Sequence, residues 1–170
     1  MKRKLVFFII TAMLLFPWTV AYAYDDAAAS TGAAAITPAE ADNLPQFNVF
    51  GKAIGSVNRG DIFTIDITES DSDTAFTLSL TNTDELIDDF RYMTLNIGIY
   101  IRNGDGEWEK ASFADSVNNS IYLTMQNGSV SFTLAGGAVY KISVEKGCFY
   151  CYGTSAVKSV TLPEFYLSAG

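Results

Sequence analysis

Histidine is absent from this chain, cysteine occurs twice, proline four times, and the eleven basic residues are outnumbered by nineteen acidic ones. Each shortage excludes a class of function. Without histidine the commonest general base is missing, and with it the ordinary Ser/His and Cys/His routes to an activated nucleophile. Two cysteines and no histidine cannot make the usual zinc sets, so carboxylates would have to complete any such site. Tyr152 stands where covalent haem attachment requires a histidine. The acidic balance argues against nucleic acid as a partner, because phosphate binding draws on clustered Lys and Arg.

Long apolar runs are also scarce, and the main one lies at the start. Met1 to Ala23 has a basic opening at Lys2, Arg3 and Lys4, an apolar run from Leu5 to Phe16, and Ala21-Tyr22-Ala23. That is the three-part form of a secretory leader, with cleavage expected after Ala23. The run is shorter than the ~20 residues a spanning helix needs, and Pro17 ends it, so no membrane span is expected after processing. Cleavage removes three basic residues and no acidic one, leaving eight against nineteen. The mature chain is expected outside the cell or at its surface. No cysteine sits at the cleavage site, and no apolar segment with a basic tail follows Leu162-Pro163. It is therefore not expected to carry a lipid or cell-wall anchor of its own.

Tyr24 to Leu44 is Ala-rich with Thr, Gly, Pro and acids, too poor in large apolar residues to offset its ordering entropy, and is expected to be a flexible arm. From Pro45 to Gly170 the pattern has period two. Phe63, Ile65 and Ile67 alternate with Thr64, Asp66 and Thr68. Phe76, Leu78 and Leu80 repeat the theme, and Met93, Leu95, Ile97, Ile99 and Ile101 extend it over ten residues. Further runs lie at Ile121–Met125, Val130–Leu134, Tyr140–Val144 and Val157–Leu162. Such alternation marks strands with one face in a core and one in water. Asn103-Gly104-Asp105-Gly106, Asn127-Gly128 and Gly136-Gly137 separate the runs with residues that tolerate positive φ. One stretch, NTDELIDDF, reads as a short helix: Asn82 caps, Glu85 lies three residues on, and Leu86, Ile87 and Phe90 share a side. Eight to ten short strands without βαβ spacing predict an all-β protein, an antiparallel β-sandwich of immunoglobulin-like or jelly-roll-like form, with one short helix and an N-terminal arm.

Two stretches, VNRGDIFTIDIT and AGGAVYKISVEKG, resemble strand entries in immunoglobulin-like and other sandwich modules of prokaryotic secreted proteins. The resemblance implies that Tyr140 braces the end of a strand, as a comparable tyrosine does in immunoglobulin-like domains. The Cys, Trp, Cys pattern of antibody domains is missing.

Cys148 and Cys151 lie in GCFYCYG. In an exported chain they are expected to be oxidised to a small loop staple. An extended strand would hold their Cα atoms about 10 Å apart, beyond disulfide reach, so the staple requires a turn that Gly147 and Gly153 would allow. A thioredoxin-like centre would need a helix after the pair, and pairing between chains is the remaining alternative. Glu69, Asp71 and Asp73 are spaced by two, as are Asn103, Asp105 and Glu107, a pattern of oxygen ligands that makes calcium the candidate cofactor. Trp108, Tyr150, Tyr152 and Tyr166 are candidates for an aromatic ligand-binding platform. Arg59-Gly60-Asp61 spells an integrin-recognised tripeptide but reads more simply as a turn opening a strand. Asn118 and Asn127 lie in N-x-Ser sequons.

The expected role is non-enzymatic: a secreted structural or adhesive surface protein that self-associates or binds other surface proteins, in one version a fibre subunit whose arm donates a strand to a neighbour. The alternative is a glycan- or ligand-binding sandwich module, calcium-dependent or not. A hydrolase using paired carboxylates ranks third.

Overall fold

The computed structural model describes residues 34–50, 54–111, 120–152 and 161–170. The expected leader, the first ten residues of the arm, Asn118 and residues 157–160 of the last alternating run lie outside the described residues. Within them the chain is all-β, with every pairing antiparallel, in two sheets.

The larger sheet is built on two strands of thirteen residues, β6 (Phe90–Arg102) and β10 (Val139–Cys151), which pair along nearly their whole lengths. On its other edge β10 meets β4 (Gly60–Asp66) and then β3 (Ile54–Val57). Outside these lie β1 (Ala35–Pro38), on β4, and β2 (Phe47–Phe50), on β3. The far edge of β6 carries β7 (Trp108–Lys110) and β8 (Ser120–Thr124). The smaller sheet has β5 (Thr74–Leu80) between β9 (Ser129–Leu134) and β11 (Phe165–Ala169).

The alternation explains how they close on one another. Phe76, Leu78, Leu80, Phe132, Leu134 and Leu167 of the smaller sheet join Leu95, Ile97, Ile99, Ile142 and Val144 of the larger in one apolar cluster. Full burial contributes about 1.5–3 kcal/mol for each large side chain. Gly106, Gly128 and Gly137 take positive φ at the three expected turns. The Tyr140 hydroxyl donates to the Ala135 carbonyl, 3.0 Å away and five residues upstream, so the tyrosine braces the entry to β10.

Several details depart from the sequence expectation. Part of the arm is ordered, since β1 lies within Tyr24–Leu44 and a 3-10 turn follows at Ala41–Asn43. Ile36 packs against the core, which a segment with only this one large apolar residue conceals in sequence. Thr161 and Leu162 are not in a strand, and β11 forms three residues later. The helix α1 spans Thr83–Asp89, but Ile87 is exposed and only Leu86 of the helix is buried. Asn82 precedes α1 without capping it by its side chain. Its amide donates to the Leu162 carbonyl at 2.8 Å and accepts from the Glu164 amide at 3.0 Å, clamping the approach to β11. Asn82→Ala would remove both bonds from half-buried partners, and a loss of about 1 kcal/mol is expected in urea denaturation.

Candidate functional site: the outer face of the larger sheet

Residues paired across antiparallel strands point to the same side, so the register assigns the outer face row by row. One row crosses five strands with small polar groups: Thr124, Thr94, Cys148, Ser56 and Asn48. Beside it Tyr122, Asn96 and Lys146 form the next row, and on its other side stand Tyr92 and Tyr150. These tyrosines are exposed: Tyr122 60%, Tyr150 44% and Tyr92 39%. The rings of Tyr92 and Tyr150 are tilted neighbours with centroids 6.1 Å apart. Asn96 is buried, and its Oδ1 has no hydrogen-bond partner among the described residues. A buried acceptor without a donor is costly, and a ligand donor at this face would relieve it.

The other end of the face is charged and more enclosed. Tyr100 donates to Glu145 Oε1 at 2.7 Å, and Lys110 Nζ lies 2.8 Å from the same oxygen. Lys141 pairs with Asp61 Oδ2 at 3.1 Å, and Ser143 donates to Asp61 Oδ1 at 2.6 Å. Arg59 lies over the Tyr100 ring at 4.8 Å, and Lys141 over the Trp108 ring at 4.8 Å. Gly98 makes room for this network, because a Cβ there would come within 2.7 Å of Glu145 Oε1. A polar cleft of about 510 Å³ opens alongside, between Arg59, Asp61 and Lys141 on one side and Asp42, Asn43 and Gln46 on the other.

Burial, followed by the Glu145 hydrogen bond and charge, pushes the Tyr100 phenol up to about 12 from 10.0. The neutral phenol is therefore favoured by the fold. Its stabilising contribution is complete below about pH 10, where the unfolded tyrosine titrates, and is lost as pH rises to about 12. Burial also pushes the Tyr140 phenol up, so phenolate absorbance should show a late-titrating fraction that shrinks, without vanishing, in Tyr100→Phe. A full tyrosine complement ionising near 10 would contradict the network.

The other sequence candidates scatter. Cys148 and Cys151 do not form the expected staple: both thiols are free and β10 runs through them as a strand, hydrogen-bonded to β6 throughout and to β3 as far as Tyr150. No turn brings them together. Cys148 stands on the outer face, while Cys151 is buried. Burial and then the Asp89 charge push the Cys151 thiol up, the opposite of a reactive redox cysteine.

The calcium patterns are also not assembled. Glu69, Asp71 and Asp73 lie exposed along one turn. Asn103 Oδ1 accepts from the Asp105 and Glu107 amides, and its Nδ2 donates to Glu109, so its side chain builds the turn. Among the described residues no three His, Cys, Asp or Glu side chains converge.

The aromatic candidates divide. Tyr150 stands on the site, Trp108 belongs to its charged end, and Tyr152 follows β10 at 57% exposure. Tyr166 pairs with Ser79 on the smaller sheet and is not part of this surface. Tyr92 and Tyr122 were not among the candidates, although each occupies a polar-parity position in an alternating run, the one signal that could have found them. In Arg59-Gly60-Asp61 the aspartate is held by Ser143 and Lys141, and a Cβ on Gly60 would meet the backbone of Leu44 and Pro45. Asn127 uses its side chain within the turn to bond the Thr124 amide and the Tyr122 carbonyl.

No protein-family model and no curated protein matches the chain. No helix among the described residues is long and apolar enough to cross a membrane.

Proposed function

We propose that the chain is an exported, non-enzymatic binding protein of an extracellular surface or matrix, and that it takes a glycan on the outer face of its larger sheet. The observation that carries this is the set of exposed tyrosines, Tyr92, Tyr150 and Tyr122, flanking a flat row of small polar side chains. Sugar rings offer apolar C–H faces, which pack on aromatic rings, and hydroxyls, which bond to Thr, Ser and Asn groups. Exposed aromatics gathered on one face mark a contact surface more often than they serve the fold. Export is supported by the leader-like Met1 to Ala23 and by the acid-rich remainder. Isothermal titration of the mature chain against a panel of soluble polysaccharides tests the proposal. Saturable heat with at least one is expected, and no heat across the panel would contradict it.

A second role, as a self-assembling subunit, is favoured by β1. This arm segment is a four-residue strand that, among the described residues, pairs with β4 alone. A second copy's β1 would fit the same edge with the same hydrogen bonds. Light scattering and electron microscopy of the mature chain beside a version starting at Pro45 should then show assembly only with the arm. Monomers from both at high concentration would exclude it.

A further inference from the structure

The cations of this acidic chain are not spread evenly. Among the described residues there are six, Arg59, Arg91, Arg102, Lys110, Lys141 and Lys146. Five belong to the outer face of the larger sheet: Lys141 and Lys110 oppose Tyr100, Lys146 opposes Asn96, Arg102 opposes Trp108, and Arg59 covers the Tyr100 ring. The sixth, Arg91, falls at the register shift of β6. Of the sixteen described acidic residues Asp61, Asp66 and Glu145 occupy outward positions there, and Asp42 lines the cleft beside them. The face thus has a cationic excess in a chain whose mature form has eight bases against nineteen acids.

We infer that this face takes an acidic polysaccharide, one bearing carboxylates along an extended chain, a ligand class that rests on the glycan assignment above. Length supports a polymer: Tyr92 to Arg102 spans about 34 Å at about 3.4 Å per residue, with aromatics towards one end and cations from Lys146 to Arg102. Lys110 and Lys141 are paired with Glu145 and Asp61, so the cations that would meet the ligand are Arg59, Lys146 and Arg102. Arginine's planar fork suits a carboxylate bidentately. The negative remainder of the protein repels a polyanion elsewhere and so guides it to this face.

The test is titration of the mature chain and of R59Q/K146Q with polygalacturonate, dextran sulfate and neutral dextran, with calorimetry to verify that both proteins are folded. Polygalacturonate is expected to bind the mature chain best and to weaken about tenfold between about 0.05 and 0.5 M salt. R59Q/K146Q is expected to lose at least about fivefold of that affinity with a melting temperature lowered by only a few degrees, the contribution of the Arg59 contact with the Tyr100 ring. Neutral dextran bound as tightly, with no effect of salt or of the substitutions, overturns this inference and leaves the glycan assignment standing. Binding of dextran sulfate alone overturns the carboxylate assignment. Binding of none of the three, when the wider panel also gives no heat, overturns both.

Discussion

Phe149→Ala is expected to lower stability by about 3–5 kcal/mol, a large share of the 5–15 kcal/mol typical of a domain. The ring is fully buried, edge-on to Phe90 at 5.1 Å and tilted against Phe47 at 6.2 Å. It thereby ties β2, β6 and β10 together in the half of the sheet that supports the tyrosines. The fit is tight on the remaining side, where a Cβ on Gly55 would come within 1.9 Å of the Phe149 ring. With β3 and β6 bonded to both edges of β10 here, the backbone has little freedom to collapse into the cavity left behind. Urea denaturation measures the loss. A cost under about 1 kcal/mol would mean that this end of the core is loosely packed.

The second large effect is expected on binding. Tyr92→Ala with Tyr150→Ala removes the neighbouring rings at the end of the face, and affinity for the preferred glycan should fall about 10- to 100-fold, as for a central aromatic anchor. Both side chains are exposed on one side of the sheet, so the melting temperature should change little. Tyr166→Ala, on the smaller sheet, provides the matched control and should leave affinity unchanged.

The sequence revealed one periodicity well and other features poorly. Met93 to Ile101 could be read as a strand because every second residue is apolar, and of those Met93, Leu95, Ile97 and Ile99 are fully buried. The same run hides that Asn96, Gly98 and Tyr100 are buried too. For Gly98 and Tyr100 the cover comes from the far-off Glu145, which Lys110 holds, and local alternation does not encode it. GCFYCYG looks like a turn because two glycines flank the cysteines. In the fold, hydrogen-bonding partners on both sides override that preference and keep the segment extended as far as Tyr150. β1 was hidden for a related reason, since AITP has one large apolar residue and gains its order from β4. The candidate platform was half legible: aromatic identity pointed to Tyr150, and only register separates it from Tyr166 and adds Tyr92 and Tyr122.

The most direct test of the account is amide chemical-shift mapping of the isotope-labelled chain from Tyr24 to Gly170 during titration with polygalacturonate. Perturbations are predicted to follow Tyr92, Thr94, Asn96, Tyr122, Lys146 and Tyr150 across the outer face of the larger sheet. Shifts confined to Tyr166 and its neighbours on the smaller sheet, or to the 103–107 turn, would contradict the assignment of this face as the working surface.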